Sequence, residues 1–222
     1  MIIPVIFTLS ALLFAGLALT LGGWALLLLW PALAAALVGV AYWADRPELF
    51  GKRPDGRFPV VLVIAGLPMF GLLYAIWWTE HALEASANEV APGIFVGRRP
   101  RGADLPAGVE TIVDLTAEWP VHAEVHGHPG YQLHRILDTR IGDAEAIEAI
   151  VRPLVERRGP MLVHCASGHG RSATIAAAVG LARGEFSDPE QAEATMRLGR
   201  PTIRLNRLQR ERLRAWFERY GG

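Results

Sequence analysis

The chain holds one cysteine, Cys165, in 222 residues, and one lysine, Lys52, beside 21 arginines. A single thiol closes no internal disulfide, which excludes a small secreted domain stapled by bridges. Net charge is lacking too: the formal value is zero, with 51% of residues hydrophobic, and that balance excludes an intrinsically disordered chain. Charge is also missing locally. No charged side chain precedes Asp45, and a second uncharged run covers residues 59–79. All 22 basic and 22 acidic residues fall elsewhere, so an apolar N-terminal part adjoins a mixed-charge, water-facing one.

A bilayer core about 30 Å thick takes about 20 apolar residues in a helix. The first run is long enough for two crossings around a turn at Gly22-Gly23. The pattern predicts helices over 3–19, 24–43 and 59–78, making residues 1–79 a multi-pass anchor in the cell membrane. Trp24, Tyr42, Trp43, Trp77 and Trp78 fall at the expected ends, where amphipathic rings prefer the interface. Pro31 and Pro68 fall mid-span, which bilayer helices tolerate when neighbours satisfy the freed carbonyl. A cleaved signal peptide fits poorly, since no Lys or Arg precedes the apolar stretch and no small-residue cleavage pattern closes it. With no ionisable side chain in the spans, they offer no ion or proton path. The loop over 45–58 carries Arg46, Lys52, Arg53 and Arg57, and beyond the third span come Arg98, Arg99 and Arg101. Positive charge thus favours a cytoplasmic loop and an external domain by four to three, a margin that leaves sidedness open.

Residues 80–91 read as a linker, and 92–222 as one α/β domain of ordinary size. Strand-like runs cover 93–96, 111–115, 131–137 and 161–164, and helical patterns cover 144–156, 172–182, 189–198 and 204–220. Residues 197–222 hold eight arginines against Glu211 and Glu218. They suit either a solvated helix face or a patch for anionic headgroups. From Val90 onward 18 arginines face 16 acidic residues, which excludes a strongly basic nucleic-acid footprint.

The chemistry is concentrated in Met161-Leu-Val-His-Cys-Ala-Ser-Gly-His-Gly-Arg-Ser-Ala-Thr174. An apolar strand runs into Cys165, a short loop follows, and Arg171-Ser172 opens an alanine-rich helix. Gly168 and Gly170 permit the unusual dihedrals by which backbone N–H groups of Ala166, Ser167, Gly168, His169 and Gly170 can face inward. The helix N-terminus adds partial positive charge, and Arg171 can grip two phosphate oxygens. A cysteine at the floor of such a cradle is favoured as thiolate and stands under a bound phosphoryl group.

These residues match the Cys-x5-Arg-Ser/Thr signature, and the chain resembles the protein tyrosine phosphatase superfamily in its dual-specificity branch. The likeness runs from about Ala91 to Tyr220: Pro92-Gly-Ile-Phe-Val-Gly, Gly108 through Glu118, and Arg200-Pro201 with Asn206 and Gln209 are similar to that branch's further segments. The resemblance implies a mixed central sheet flanked by helices, and a phosphate-monoester hydrolase working through a cysteinyl-phosphate. It implies Cys165 as nucleophile, Arg171 as phosphate clamp, Ser172 as an aid to attack and release, and His164 as structural support for the thiolate. It also implies that no metal or other cofactor is required.

A leaving oxygen needs a proton, and the resemblance places an aspartate on a loop some distance before the cysteine. Asp138 and Asp143 both precede the helix expected at 144–156. Asp138 has the better context, whereas Asp143 can cap that helix. Asp114, on an expected strand, reads as structural. His122, His126 and His128 share a loop, but their spacing fits no zinc pattern. His169 lies where family members acting on lipids often carry Lys or Arg, so a polyanionic headgroup fits less well. Three substrate readings stay open: a phosphorylated lipid, a phosphoprotein at the membrane, or an inactive phosphate-binding module.

Overall fold

A computed structural model describes residues 2–81, 84–157 and 159–221. The chain forms two compact units, one of residues 1–53 with 57–82, the other of residues 54–56 with 83–222.

In the first unit, α1 (Ile2–Leu21) ends at Gly22 and Gly23, whose φ of 61° and 54° make the turn that paired glycines predict. Residues Gly23–Leu28 then wind as a 3-10 helix before α2 (Leu29–Trp43) begins. Pro31 sits in the first turn of α2 and near the middle of the continuous span Gly23–Trp43, as the pattern expects. Most buried positions on α2 are small (Ala32, Ala34, Ala35, Gly39, Ala41), with Val38 and Tyr42 beside them, and a Cβ at Gly39 would come within 3.1 Å of Thr8 Oγ1. Large apolar side chains such as Leu9, Leu12, Leu13, Leu33 and Val40 point outward.

The third helix, α3 (Val60–His81), contains Pro68, which removes the N–H due to the Ile64 carbonyl. The Trp30 indole N–H replaces it, donating to Ile64 O and Ala65 O, each at 3.1 Å. Trp30→Phe should cost about 1 kcal/mol by leaving the Ile64 carbonyl unserved. Thermal unfolding in detergent checks this, and an unchanged midpoint would dismiss the bond. Three crossings are expected from the sequence, but among the described residues only two helices are long and apolar enough, Ile2–Leu21 and Gly23–Trp43. The sidedness count built on three crossings loses its basis.

The second unit is an α/β domain around a five-stranded sheet. Its strands are β1 (Ala87–Ala91), β2 (Ile94–Gly97), β3 (Thr111–Thr116), β4 (Tyr131–Ile136) and β5 (Met161–His164), in the order β1-β2-β5-β3-β4. β1 and β2 are antiparallel and the other pairs parallel. Residues 87–91, expected as linker, are the edge strand β1. Pro92-Gly93 closes the β1–β2 hairpin, with Gly93 at the φ of 70° that a type II turn requires. Residues 82 and 83 of the expected linker lie outside the described residues.

Helices α4 (Ala144–Val155), α5 (Arg171–Ala182), α6 (Pro189–Gly199) and α7 (Arg207–Tyr220) flank the sheet. Helix α7 begins three residues later than the pattern predicts, because Asn206 and Gln209 form a reciprocal capping box. Helix α5 is buried along nearly its whole length, which its run of alanines and Gly180 permits. Below it lie Val113, Val163, Ile147 and Leu154, and Trp216 of α7 closes the core while its indole N–H donates to Glu148. Of the eight C-terminal arginines, Arg207, Arg210, Arg214 and Arg219 pair with Glu211, Glu193, Glu190 and Glu145, so that stretch is largely an ion-paired helix face. Arg200 turns inward instead and is 2% exposed.

Candidate active site

β5 is central in the sheet and delivers Cys165 to the carboxyl ends of the parallel strands, where α/β folds place ligands. The loop from Cys165 to Gly170 then turns into α5. Cys165 Sγ accepts the Gly168 N–H at 3.2 Å and lies 3.4 Å from Ser172 Oγ. Gly168 has φ 76°, and a Cβ there would fall 2.4 Å from the Gly97 carbonyl carbon, so both space and dihedral demand glycine.

Every loop carbonyl between Cys165 and Arg171 is taken by a group outside the loop's centre. Ala166 O accepts from the Arg99 N–H, Ser167 O and Gly168 O from the Arg200 guanidinium, His169 O from the Arg204 N–H, and Gly170 O from Thr174. A peptide whose carbonyl is fixed outward has its N–H on the opposite side, which turns these amides toward the sulfur. Arg200 thus braces the loop. Burial pulls its pKa below the ordinary arginine value, and Glu84 offsets part of that fall.

Arg171 is 1% exposed and held firmly. Its Nη1 and Nη2 donate to the two carboxylate oxygens of Glu118 at 3.1 and 2.7 Å, and Nη1 also reaches Ile136 O at 2.7 Å. Asp138 Oδ1 lies 3.0 Å from Nη2. Burial works to lower the pKa of this guanidinium, but the charges of Glu118, Asp138 and Cys165 outweigh it and the net shift is upward. The Nε–H is buried and has no hydrogen-bond partner among the described residues. The Nε/Nη2 edge is therefore the one open to an incoming oxyanion, with Asp138 resting at its rim.

Asp138 is half-exposed and follows Ile136, the end of β4, by two residues. The next residue, Thr139, has φ 62°, an unusual conformation for a β-branched side chain, and its carbonyl accepts from Asn206 Nδ2 at 2.8 Å. Asp143 is elsewhere engaged: its carboxylate caps α4, accepting the Ala146 N–H at 2.9 Å. His164 sits under the loop with Nδ1 3.4 Å from Cys165 O and Nε2 3.9 Å from Asp114. Asp114 also accepts from the Tyr131 hydroxyl and from Thr116. Burial, with Asp114 beside it, drives the Tyr131 phenol well above its ordinary pKa. His122, His126 and His128 diverge, meeting Glu124, Asp55 and the Gly130 N–H respectively.

A family model described as the Swiss Army Knife protein, DSP-PTPase phosphatase domain, matches residues 94–215. The chain belongs to this family. It is a hydrolase of the protein tyrosine/dual-specificity phosphatase type. The structure of Tk-PTP in its active form matches at 25% identity with a TM-score of 0.54, over 60% of this chain and 97% of that one. The human tyrosine phosphatase-like serine/threonine/tyrosine-interacting protein matches at 19% identity and TM-score 0.53, over 63% and 100%. PTPMT1 in complex with PI(5)P matches at 18% and 0.51, over 60% and 95%. No curated protein matches the chain.

The structure gathers Cys165, Arg171, Ser172, His164 and Asp138 at one site and leaves Asp143 outside it. Sequence reasoning gave no role to Glu118, Arg200 or Glu84. Glu118 carried one usable signal: an acidic residue just past a buried strand, on the sheet edge where a phosphate-binding arginine would need a counter-charge.

Proposed function

We propose that the protein is a membrane-anchored phosphatase that hydrolyses phosphate monoesters through a cysteinyl-phosphate on Cys165. The observation that carries this reading is the sulfur at the floor of the loop, accepting the Gly168 N–H, with the open Nε/Nη2 edge of Arg171 nearby. Substrate phosphate binds the loop amides and that edge, displacing Asp138 from Nη2. The Cys165 thiolate attacks phosphorus, the P–O bond to the leaving group breaks, and Asp138 gives its proton to the departing oxygen. Water then attacks the cysteinyl-phosphate, Asp138 accepts the water's proton, and the Ser172 hydroxyl stabilises the departing sulfur. Glu118 positions Arg171, and His164 supports the thiolate through the Cys165 carbonyl. The residues need no cofactor for these steps.

A membrane anchor is supported by the α1–α2 pair, which buries mostly small residues and exposes many large apolar ones, the reverse of a water-soluble helix pair. Such an anchor confines the site to the bilayer surface and raises the effective concentration of a lipid phosphate. A phosphorylated lipid is accordingly the substrate class we favour, and the same fold in PTPMT1 holds PI(5)P. The test is a substrate panel on the full chain in detergent, with Cys165→Ser alongside. Phosphate release from lipid vesicles but not phosphopeptides is expected. The reverse would assign a phosphoprotein substrate, and no release with intact phosphate binding would leave a binding module.

Asp138→Asn should slow alkyl phosphates by roughly 10²–10⁴-fold and aryl phosphates much less, because a phenolate leaves without a proton. Equal rates on both would move the acid role away from Asp138.

A further inference from the structure

Glu84 stands three residues before β1, at the mouth of the phosphate loop. Its Oε2 lies 2.9 Å from His169 Nε2 and 3.4 Å from Arg200 Nη2. His169 is the one loop residue with a ring, and both members of the pair are partly exposed, 32% for His169 and 22% for Glu84. Arg200 does not depend on this carboxylate for its placement. It already donates to Gly168 O, Ser167 O, Ala85 O and Asn88 Oδ1 at 2.8–3.1 Å, all shorter than its contact with Glu84. The negative charge at the mouth therefore has more to do than hold an arginine.

We propose that Glu84 is a specificity-determining residue: its carboxylate, held at the mouth by the His169 ring and Arg200, places a negative charge there and so excludes substrates with a second anionic group next to the hydrolysed phosphate. This rests on the phosphate-binding reading of the loop. A lone phosphomonoester uses the amides and Arg171 and does not need the rim. A neighbouring phosphate would project past the loop toward His169, where it meets the Glu84 carboxylate already held by the ring and Arg200. Like charges brought together at a part-buried site discriminate strongly between otherwise similar ligands. The substrate class that follows is a phosphomonoester with no second phosphate within a few ångströms, such as a lipid carrying a single terminal phosphate. Bisphosphorylated headgroups are refused.

Glu84→Gln keeps an oxygen that can accept from His169 and Arg200 but removes the charge. Inorganic phosphate and inorganic pyrophosphate serve as probes, titrated calorimetrically into the full chain in detergent carrying Cys165→Ser, with and without Glu84→Gln. Pyrophosphate affinity relative to phosphate should rise about tenfold on removal of the charge, and the gain should shrink as salt is added. A ratio unmoved by the substitution overturns the proposal. So does an equal loss for both ligands, which would make Glu84 a brace of the loop. If phosphate binds neither protein, the phosphate-loop reading fails instead, and that outcome is distinct. Replacing His169 with Ala in the Glu84→Gln background should abolish the tenfold gain, since the ring N–H is then the donor that receives the second phosphate. A gain that survives this replacement also counts against the proposal.

Discussion

Replacing Cys165 with serine should lower turnover by roughly four orders of magnitude or more while leaving phosphate binding in place. The sulfur is 3% exposed and lies within hydrogen-bond reach of the Gly168 amide and the Ser172 hydroxyl, so a serine oxygen fits the same space. What it lacks is the reactivity of sulfur: an alcohol is far less acidic and a weaker nucleophile than a thiol. The measurements are steady-state hydrolysis of an aryl phosphate and calorimetric titration with inorganic phosphate. Residual activity within tenfold of wild type would remove Cys165 from the reaction, whatever the loop binds.

The second large effect concerns Arg171. Arg171→Lys should reduce kcat/KM by roughly 10³-fold, because one ammonium cannot hold the Glu118 carboxylate and present two N–H groups to a phosphoryl oxygen pair at once. Stability should change far less than activity, since the lysine still places a positive charge against Glu118. Arg171→Ala would be different: a buried carboxylate left without its partner costs about 3–5 kcal/mol, so that variant tests folding as much as chemistry. Comparing the two by thermal unfolding and by kinetics separates the roles. If lysine supports near-normal rates, the two-pronged grip is not what the reaction uses.

The parts of the molecule legible in sequence are those governed by short-range pattern. The strand at Met161–His164 emerges with its predicted bounds because three apolar residues and a buried histidine end at a loop of glycines. The spacing from Cys165 to Arg171 dictates a strand–loop–helix element that needs nothing distant to form. Asp143 is likewise local: its carboxylate reaches an amide three residues on. What escaped the sequence is long-range. Glu118 meets Arg171 across 53 positions, and Arg200 reaches the Gly168 carbonyl across 32, so neither pairing leaves a local periodicity. Strand β1 was missed for a related reason. Its five residues, Ala-Asn-Glu-Val-Ala, have little β propensity, and the strand exists because β2 pairs with it through the Pro92-Gly93 turn. In the apolar unit, composition favoured a third crossing over residues 59–78, whereas among the described residues two helices are long and apolar enough to cross.

The solitary sulfur also sets how this site meets an oxidant. A thiolate is the form that peroxides convert to sulfenic acid, and many redox-responsive sites recover by closing a disulfide onto a neighbouring thiol. These 222 residues contain no second thiol. The burial of Cys165 limits an oxidant's access, and an oxidised sulfur here recovers through an incoming thiol or condensation with a backbone nitrogen, in competition with further oxidation to the sulfinic acid.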